Sequence, residues 1–153
     1  MEHRELIQDR ANSALARVLR HAVETADKPK HLIASECGVH QETLRRAMCA
    51  VRPIGLDEAV RVLEASGSYP RMSIMLALGG HEELACDWMR SDMGAFMEGL
   101  LTSLPAQLDR HLGRRIEDIT PRWANGTSQL VSKILARHID DVTHRDIGAG
   151  YAS

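Results

Sequence analysis

The chain has 153 residues, 44% of them hydrophobic and 26% charged, with a formal net charge of −2. That length fits one domain, or a small module with an appendage, around a real core, and the charge excludes a polycation. Aromatic residues make up only 3%, so the core must come from Leu, Ala, Val, Ile and Met, a composition that favours helices over sheets.

Cys37, Cys49 and Cys86 are scattered and lack a close-spaced pair. This argues against a disulfide framework and against a zinc finger. Cys37 and Cys49 are expected as small buried or half-buried hydrophobes. No apolar run follows a basic start, and no stretch approaches about 18 apolar residues. The expectation is a cytoplasmic protein with no signal peptide and no membrane span.

In chain order, the apolar residues over 4–26 recur at steps of three and four and predict one long helix. Pro29 suits the first turn of a second helix that ends at Cys37, before Gly38. A third runs from about His40 to Cys49. A Pro53-Ile54-Gly55 turn leads to a fourth, with Asp57 at its start and Ala65 at its end. Met72–Leu78 is a short apolar helix. Leu84, Ala85, Trp88, Met89, Met93, Phe96, Met97, Leu100 and Leu101 predict a helix over 81–103, weakened at Gly94 and Gly99. Pro105 is expected to open another helix, with Leu108, Leu112 and Ile116 inward. A last amphipathic helix is expected over Ser128–Val142, carrying Leu130, Val131, Ile134, Leu135 and Ile139. The fold class is all-α.

Residues 28–52, KPKHLIASECGVHQETLRRAMCAVR, have the pattern of two helices crossing at a tight turn. A small residue at Ala34 permits close approach. Gly38 tolerates positive φ. Val39 and Leu44 plug the second helix onto the first. Its other face carries His40, Gln41, Glu42, Thr43, Arg45 and Arg46, long polar side chains of the kind that major-groove readout requires. From Val39 to Arg52 there are three arginines against one glutamate, a local positive excess suited to a modest DNA footprint.

The stretch Gly38–Arg46 resembles the recognition segment of lambda-repressor-like, Cro-type (Xre family) helix-turn-helix proteins. Pro53–Leu63 is similar to that family's fourth helix. The likeness covers about residues 14–67. Ala47, His40 and the Ala50-Val51-Arg52 loop depart from the family pattern. The resemblance implies a sequence-specific, double-stranded DNA-binding regulator, a homodimeric repressor reading the major groove with the helix over 40–49. It implies that Gln41, Glu42, Thr43 and Arg46 face base edges, with Arg45 and Arg52 toward phosphates. Arg can grip guanine, Gln can pair with adenine and Thr can touch a thymine methyl. Glu42 repels phosphate, but could accept from cytosine or orient an arginine. His40 reads as a polar helix-start residue, with base contact the alternative. Lys28 and Lys30 could touch phosphates or be solvated.

The expected organisation is a DNA-binding domain over residues 1–68, a helical association domain over 69–147 and a flexible tail over 148–153. Residues 81–103 carry five acids against Arg90, a surface that DNA would avoid. Residues 72–142 are therefore expected to pair with a second copy or to bind another protein. Two alternatives stay open: an antitoxin or phage-type partner-binding protein with an autoregulatory helix-turn-helix, and a regulator with a small molecule in the Met- and Trp-lined half. No cofactor or metal is expected. His138, His144, Asp140, Asp141 and Asp146 are too loosely spaced for a convincing metal site. No nucleophile elbow, activated triad or phosphate loop is present, so an enzyme is not expected.

Overall fold

The computed structural model describes the backbone of residues 2–150 and the side chains of residues 5–145. Among the described residues every element is helical. In order these are α1 (Glu2–Glu24), α2 (Lys30–Cys37), α3 (Gln41–Met48), α4 (Leu56–Ala65), α5 (Pro70–Leu78), α6 (Glu82–Trp88), α7 (Asp92–Leu112), a 3-10 segment (Gly113–Asp118) and α8 (Trp123–Gly150). No described helix is long and apolar enough to cross a membrane. The chain divides into two compact units, Met1–Gln107 and Leu108–Ser153.

The first unit is organised around α1. Its stripe of Leu15, Val18, Leu19, Ala22 and Val23 is buried, and α2 to α6 all pack against it. Leu44 and Met48 of α3, Val62 and Leu63 of α4, Met72 and Ile74 of α5, and Ala85 and Met89 at α6 complete one core. The boundary expected after residue 68 falls inside this unit. Met72, Ala77, Ala85 and Met89 bury their side chains in the same core as Val18 and Leu19, so α5 and α6 continue the domain. At its other end α1 carries Leu6 and Ile7 exposed, 66% and 58% accessible.

Two polar devices tie distant segments together. Glu98 of α7 accepts the backbone N–H of Met72 at 2.7 Å and that of Arg71 at 3.2 Å. The carboxylate thereby satisfies donors in the first turn of α5, which no local side chain caps. Arg90 donates through Nη2 to the carbonyls of Ala22 (2.8 Å) and Ser66 (3.1 Å), and through Nε to Thr25 Oγ1 (2.9 Å). It clamps the ends of α1 and α4.

The helix expected over 81–103 is two helices, and the break lies at Met89–Ser91 rather than at Gly94 or Gly99. Ser91 supplies the reason. Its hydroxyl bonds the Trp88 carbonyl (3.0 Å) and accepts the Gly94 N–H (3.4 Å), ending one helix and starting the next. Gly94 is buried against the Trp88 carbonyl, where a Cβ would overlap the oxygen. Pro105, expected to open a helix, lies inside α7. There it withholds one backbone donor without ending the helix.

In the second unit, no described side chain is buried. Leu108 and Ile116 are exposed rather than turned inward, because the end of α7, the 3-10 segment and α8 provide no opposing layer within the unit. Helix α8 starts before Ser128 and extends beyond Val142, through residues 148–150 of the expected tail. Residues 151–153 lie outside the described residues. Along α8, Leu130, Val131, Ile134, Ile139 and Val142 are exposed.

Candidate nucleic-acid interface

The site is built on two eight-residue helices and the turn between them. Helix α2 buries Ile33, Ala34 and Cys37. It ends at Gly38, whose φ of 65° is left-handed. The Val39 N–H bonds the Ala34 carbonyl (3.0 Å) and the Gly38 N–H bonds the Ser35 carbonyl (3.1 Å). This double closure needs a positive φ, which glycine adopts without a steric penalty. The Arg61 Nη1 of α4 donates to the Cys37 carbonyl at 2.7 Å, and its other amino group pairs with Asp57 at 3.0 Å. Arg61 thus fixes the C-terminal end of α2 from a helix 24 residues further along the chain. It is a positioning residue that helical periodicity could not single out.

Helix α3 buries Leu44, Ala47 and Met48. These positions fix its rotation, and Gln41, Glu42, Arg45 and Arg46 are left exposed, with Thr43 half-buried. His40 is the N-cap residue, and its Nδ1 accepts the Glu42 N–H at 3.4 Å. Its ring is thus engaged with the backbone at the helix start. At the other end Ala50 takes a φ of 56°, and the Val51 N–H closes onto the Arg46 carbonyl at 2.9 Å. Cys49 is exposed and Cys37 buried, so the expectation of two buried or half-buried thiols holds for Cys37 alone. Burial pushes the Cys37 thiol up.

The charged residues differ in what they are free to do. Arg45 grips Glu42 with two hydrogen bonds, Nε–Oε2 at 2.8 Å and Nη2–Oε1 at 2.6 Å. That contact holds the Glu42 carboxyl below its ordinary range and raises the Arg45 guanidinium further. Arg52 is half-buried and spends its donors within the protein, on the Thr43 and Pro53 carbonyls (3.3 Å each) and on Glu58 (3.0 Å). It braces the loop after α3. Lys28 pairs with Glu36 at 2.8 Å and Lys30 lies 4.0 Å from Glu24. Both lysines are on the surface around the start of α2, where Pro29 offers no side-chain cap. Arg46 is exposed and has no ion pair among the described residues.

Lys30, His40, Gln41, Glu42 and Arg45, with Leu44 and Met48, line one hollow along a flank of α3. Arg46 lies outside that lining, as do Thr43, Arg52 and Lys28. Among the described residues no group of His, Cys, Asp or Glu side chains is arranged to hold a metal ion. An eight-residue helix is about 12 Å long, and the major groove of B-DNA is about 12 Å wide. A helix seated by Leu44 and Met48, with Gln41 and Arg46 projecting, can present amide and guanidinium donors to base edges. No family model, curated protein or solved structure matches the chain.

Proposed function

We propose that the chain is a sequence-specific, double-stranded DNA-binding transcriptional regulator of the helix-turn-helix kind, acting as a homodimeric repressor. The observation that carries this reading is the face of α3. Its inner positions are locked by Leu44, Ala47 and Met48, while Gln41 and Arg46 stand exposed and Arg46 has no ion pair among the described residues. Gln41 and Arg46 are the base-reading pair, with Thr43 at the groove wall. Arg45 reaches phosphate only by exchanging its bonds to Glu42. Lys28, Lys30 and the uncapped start of α2 meet the flanking backbone. Arg52 supports the loop rather than the DNA, and His40 starts the helix. Occupancy of an operator is sufficient for repression, and two reading helices in successive major grooves give the pair its site length.

The test is fluorescence anisotropy on labelled duplexes from the region upstream of the coding sequence, with a scrambled duplex as control, at several salt concentrations. The expected result is salt-dependent binding to one duplex that Arg46→Ala and Gln41→Ala each weaken by about tenfold or more. Equal weak binding to all duplexes by wild type and both variants would remove the reading.

A further inference from the structure

Leu44, Ala47 and Met48 are the buried positions of α3. At about 3.6 residues per turn, the side of the helix opposite them carries Glu42 and Arg46, one turn apart. Gln41 and Arg45 lie on one flank of that ridge and the half-buried Thr43 on the other. A surface laid against this side of α3 meets Glu42 and Arg46 first. The two differ in freedom. Arg46 has no ion pair among the described residues. Glu42 is held by Arg45, Nε to Oε2 at 2.8 Å and Nη2 to Oε1 at 2.6 Å, yet 56% of its side chain stays accessible. Each carboxylate oxygen can accept more than one hydrogen bond. The guanidinium takes one at each oxygen, so the capacity that remains is aimed by Arg45 rather than by free rotation. A fixed group that accepts and cannot donate is thus displayed near the centre of the outward side.

Base edges in the major groove answer such a group unequally. Guanine shows the acceptors N7 and O6, and thymine shows O4 beside its methyl group; adenine sets the N6 donor next to the N7 acceptor, and cytosine shows the N4 donor alone. A fixed carboxylate is repelled by guanine and thymine, meets a donor and an acceptor together at adenine, and finds only a donor at cytosine. Negative charge in the groove weakens binding at every sequence, and cytosine offsets that most. Resting on the DNA reading above, we propose that Glu42 is a specificity-determining residue, selecting one C·G pair by rejecting the other three, with Arg45 as the residue that positions its carboxylate. Glu42 lowers affinity for every duplex and lowers it least for the right one. Arg46, one turn further on, takes guanine O6 and N7. Four residues of helix rise about 6 Å and successive base pairs about 3.4 Å, so the selected cytosine and that guanine lie within about two base steps of each other.

The experiment is selection by the full chain from a library of duplexes with a random central segment, at about 0.1 M salt. Wild type, Glu42→Gln and Arg45→Ala are run side by side, and single duplexes from the enriched motif are then titrated by anisotropy. Wild type is expected to enrich a motif with one C·G pair at which each substitution costs about tenfold or more. Glu42→Gln is expected to keep every other position and to change that pair to A·T or lose its preference, because an amide donates and accepts together at adenine. Its gain in affinity is expected to be about tenfold larger on the A·T-substituted duplex than on the original. Arg45→Ala leaves the carboxylate in place but unaimed, and is expected to reduce the C·G preference. Both side chains are exposed, so the thermal transition is expected to stay unchanged. Identical motifs from wild type and Glu42→Gln overturn the proposal and leave the DNA reading standing, since a charge alone moves affinity for all duplexes alike. A Glu42-dependent pair other than C·G overturns the choice of base. An undiminished preference in Arg45→Ala overturns the positioning role of Arg45. A wild type that enriches no motif overturns the DNA reading itself, and this proposal with it.

Discussion

Glu42 and Arg45, one turn apart on α3, hold each other through two hydrogen bonds of 2.8 and 2.6 Å. The pair is exposed, with 56% of the Glu42 side chain and 60% of the Arg45 side chain accessible, so it contributes little to folding. Under the proposed function its consequence is for binding. A guanidinium already satisfied by a carboxylate is a weaker ligand for phosphate, and the carboxylate itself repels DNA.

Glu42→Gln is therefore expected to strengthen DNA binding about threefold to tenfold at about 0.1 M salt and to steepen the salt dependence by about one counterion. The thermal midpoint is expected to stay unchanged. Arg45 lowers the Glu42 pKa, so the ion pair is complete above the ordinary glutamate range and is lost as pH falls through the lowered value. At neutral pH the wild-type pair is intact, and the gain from Glu42→Gln should be present in full. Anisotropy titrations at two salt concentrations decide it; unchanged affinity would show that Arg45 does not reach DNA.

Arg46 and Arg52 sit at the two ends of one short stretch and should fail differently. Arg46→Ala removes a solvated side chain and is expected to leave urea unfolding unchanged while weakening specific binding. Arg52→Ala removes bonds to Thr43, Pro53 and Glu58. We expect a loss of about 1–2 kcal/mol in stability, with the unpaired Glu58 part of the cost. The two denaturation curves, measured beside binding, separate reading from bracing.

Gly38 and Ala50 form a reciprocal pair of backbone predictions. Both sit at positive φ, 65° and 56°. A Cβ at Gly38 would meet only Arg61 Nη1, at 3.8 Å, so the cost of Gly38→Ala is conformational, about 1 kcal/mol. Ala50→Gly relieves the same strain and gives back part of it in chain entropy, for a net gain of about 0.5 kcal/mol. Opposite shifts of the thermal midpoint are expected.

Gly94→Ala meets a harder obstacle. The new methyl group would overlap the Trp88 carbonyl oxygen and lie 3.0 Å from Tyr69 Cδ2. Since the oxygen belongs to the backbone, relief requires α6 and α7 to move apart, at about 2–3 kcal/mol. Circular dichroism melts of Gly94→Ala and of Gly99→Ala, where nothing lies within 4 Å, provide the contrast.

The first four helices were legible in the sequence because each buries one stripe and is bounded by a residue with a clear backbone preference: Pro29, Gly38, Gly55 and Gly67. The break between α6 and α7 was not, because the apolar period runs through it from Leu84 to Leu101 and hides the boundary. Ser91-Asp92 carries an N-terminal signature that a period-based reading passes over. The inward orientation assigned to Leu108 and Ile116 failed for another reason: periodicity tells that a face is apolar, not that a neighbour is there to cover it. At the candidate site the exposed set on α3 was readable once Leu44 was placed inward, whereas the burial of Ala47 and Met48 came from the structure. The engagement of Arg52 with Glu58 and of Arg45 with Glu42 was not, since a sequence gives charges without their partners.

Helix α1 touches α3 as well as α5 and α6, and this governs how the gene can be cut and recombined. A fragment stopping at residue 68 would strip Met72, Ile74, Ala77, Ala85 and Met89 from a shared core and leave the hydrophobic side of α1 wet. Helix α3 is therefore not a cassette that can be transplanted at its first convenient turn. A donor segment for a chimaera must carry α5 and α6 as well as the first four helices.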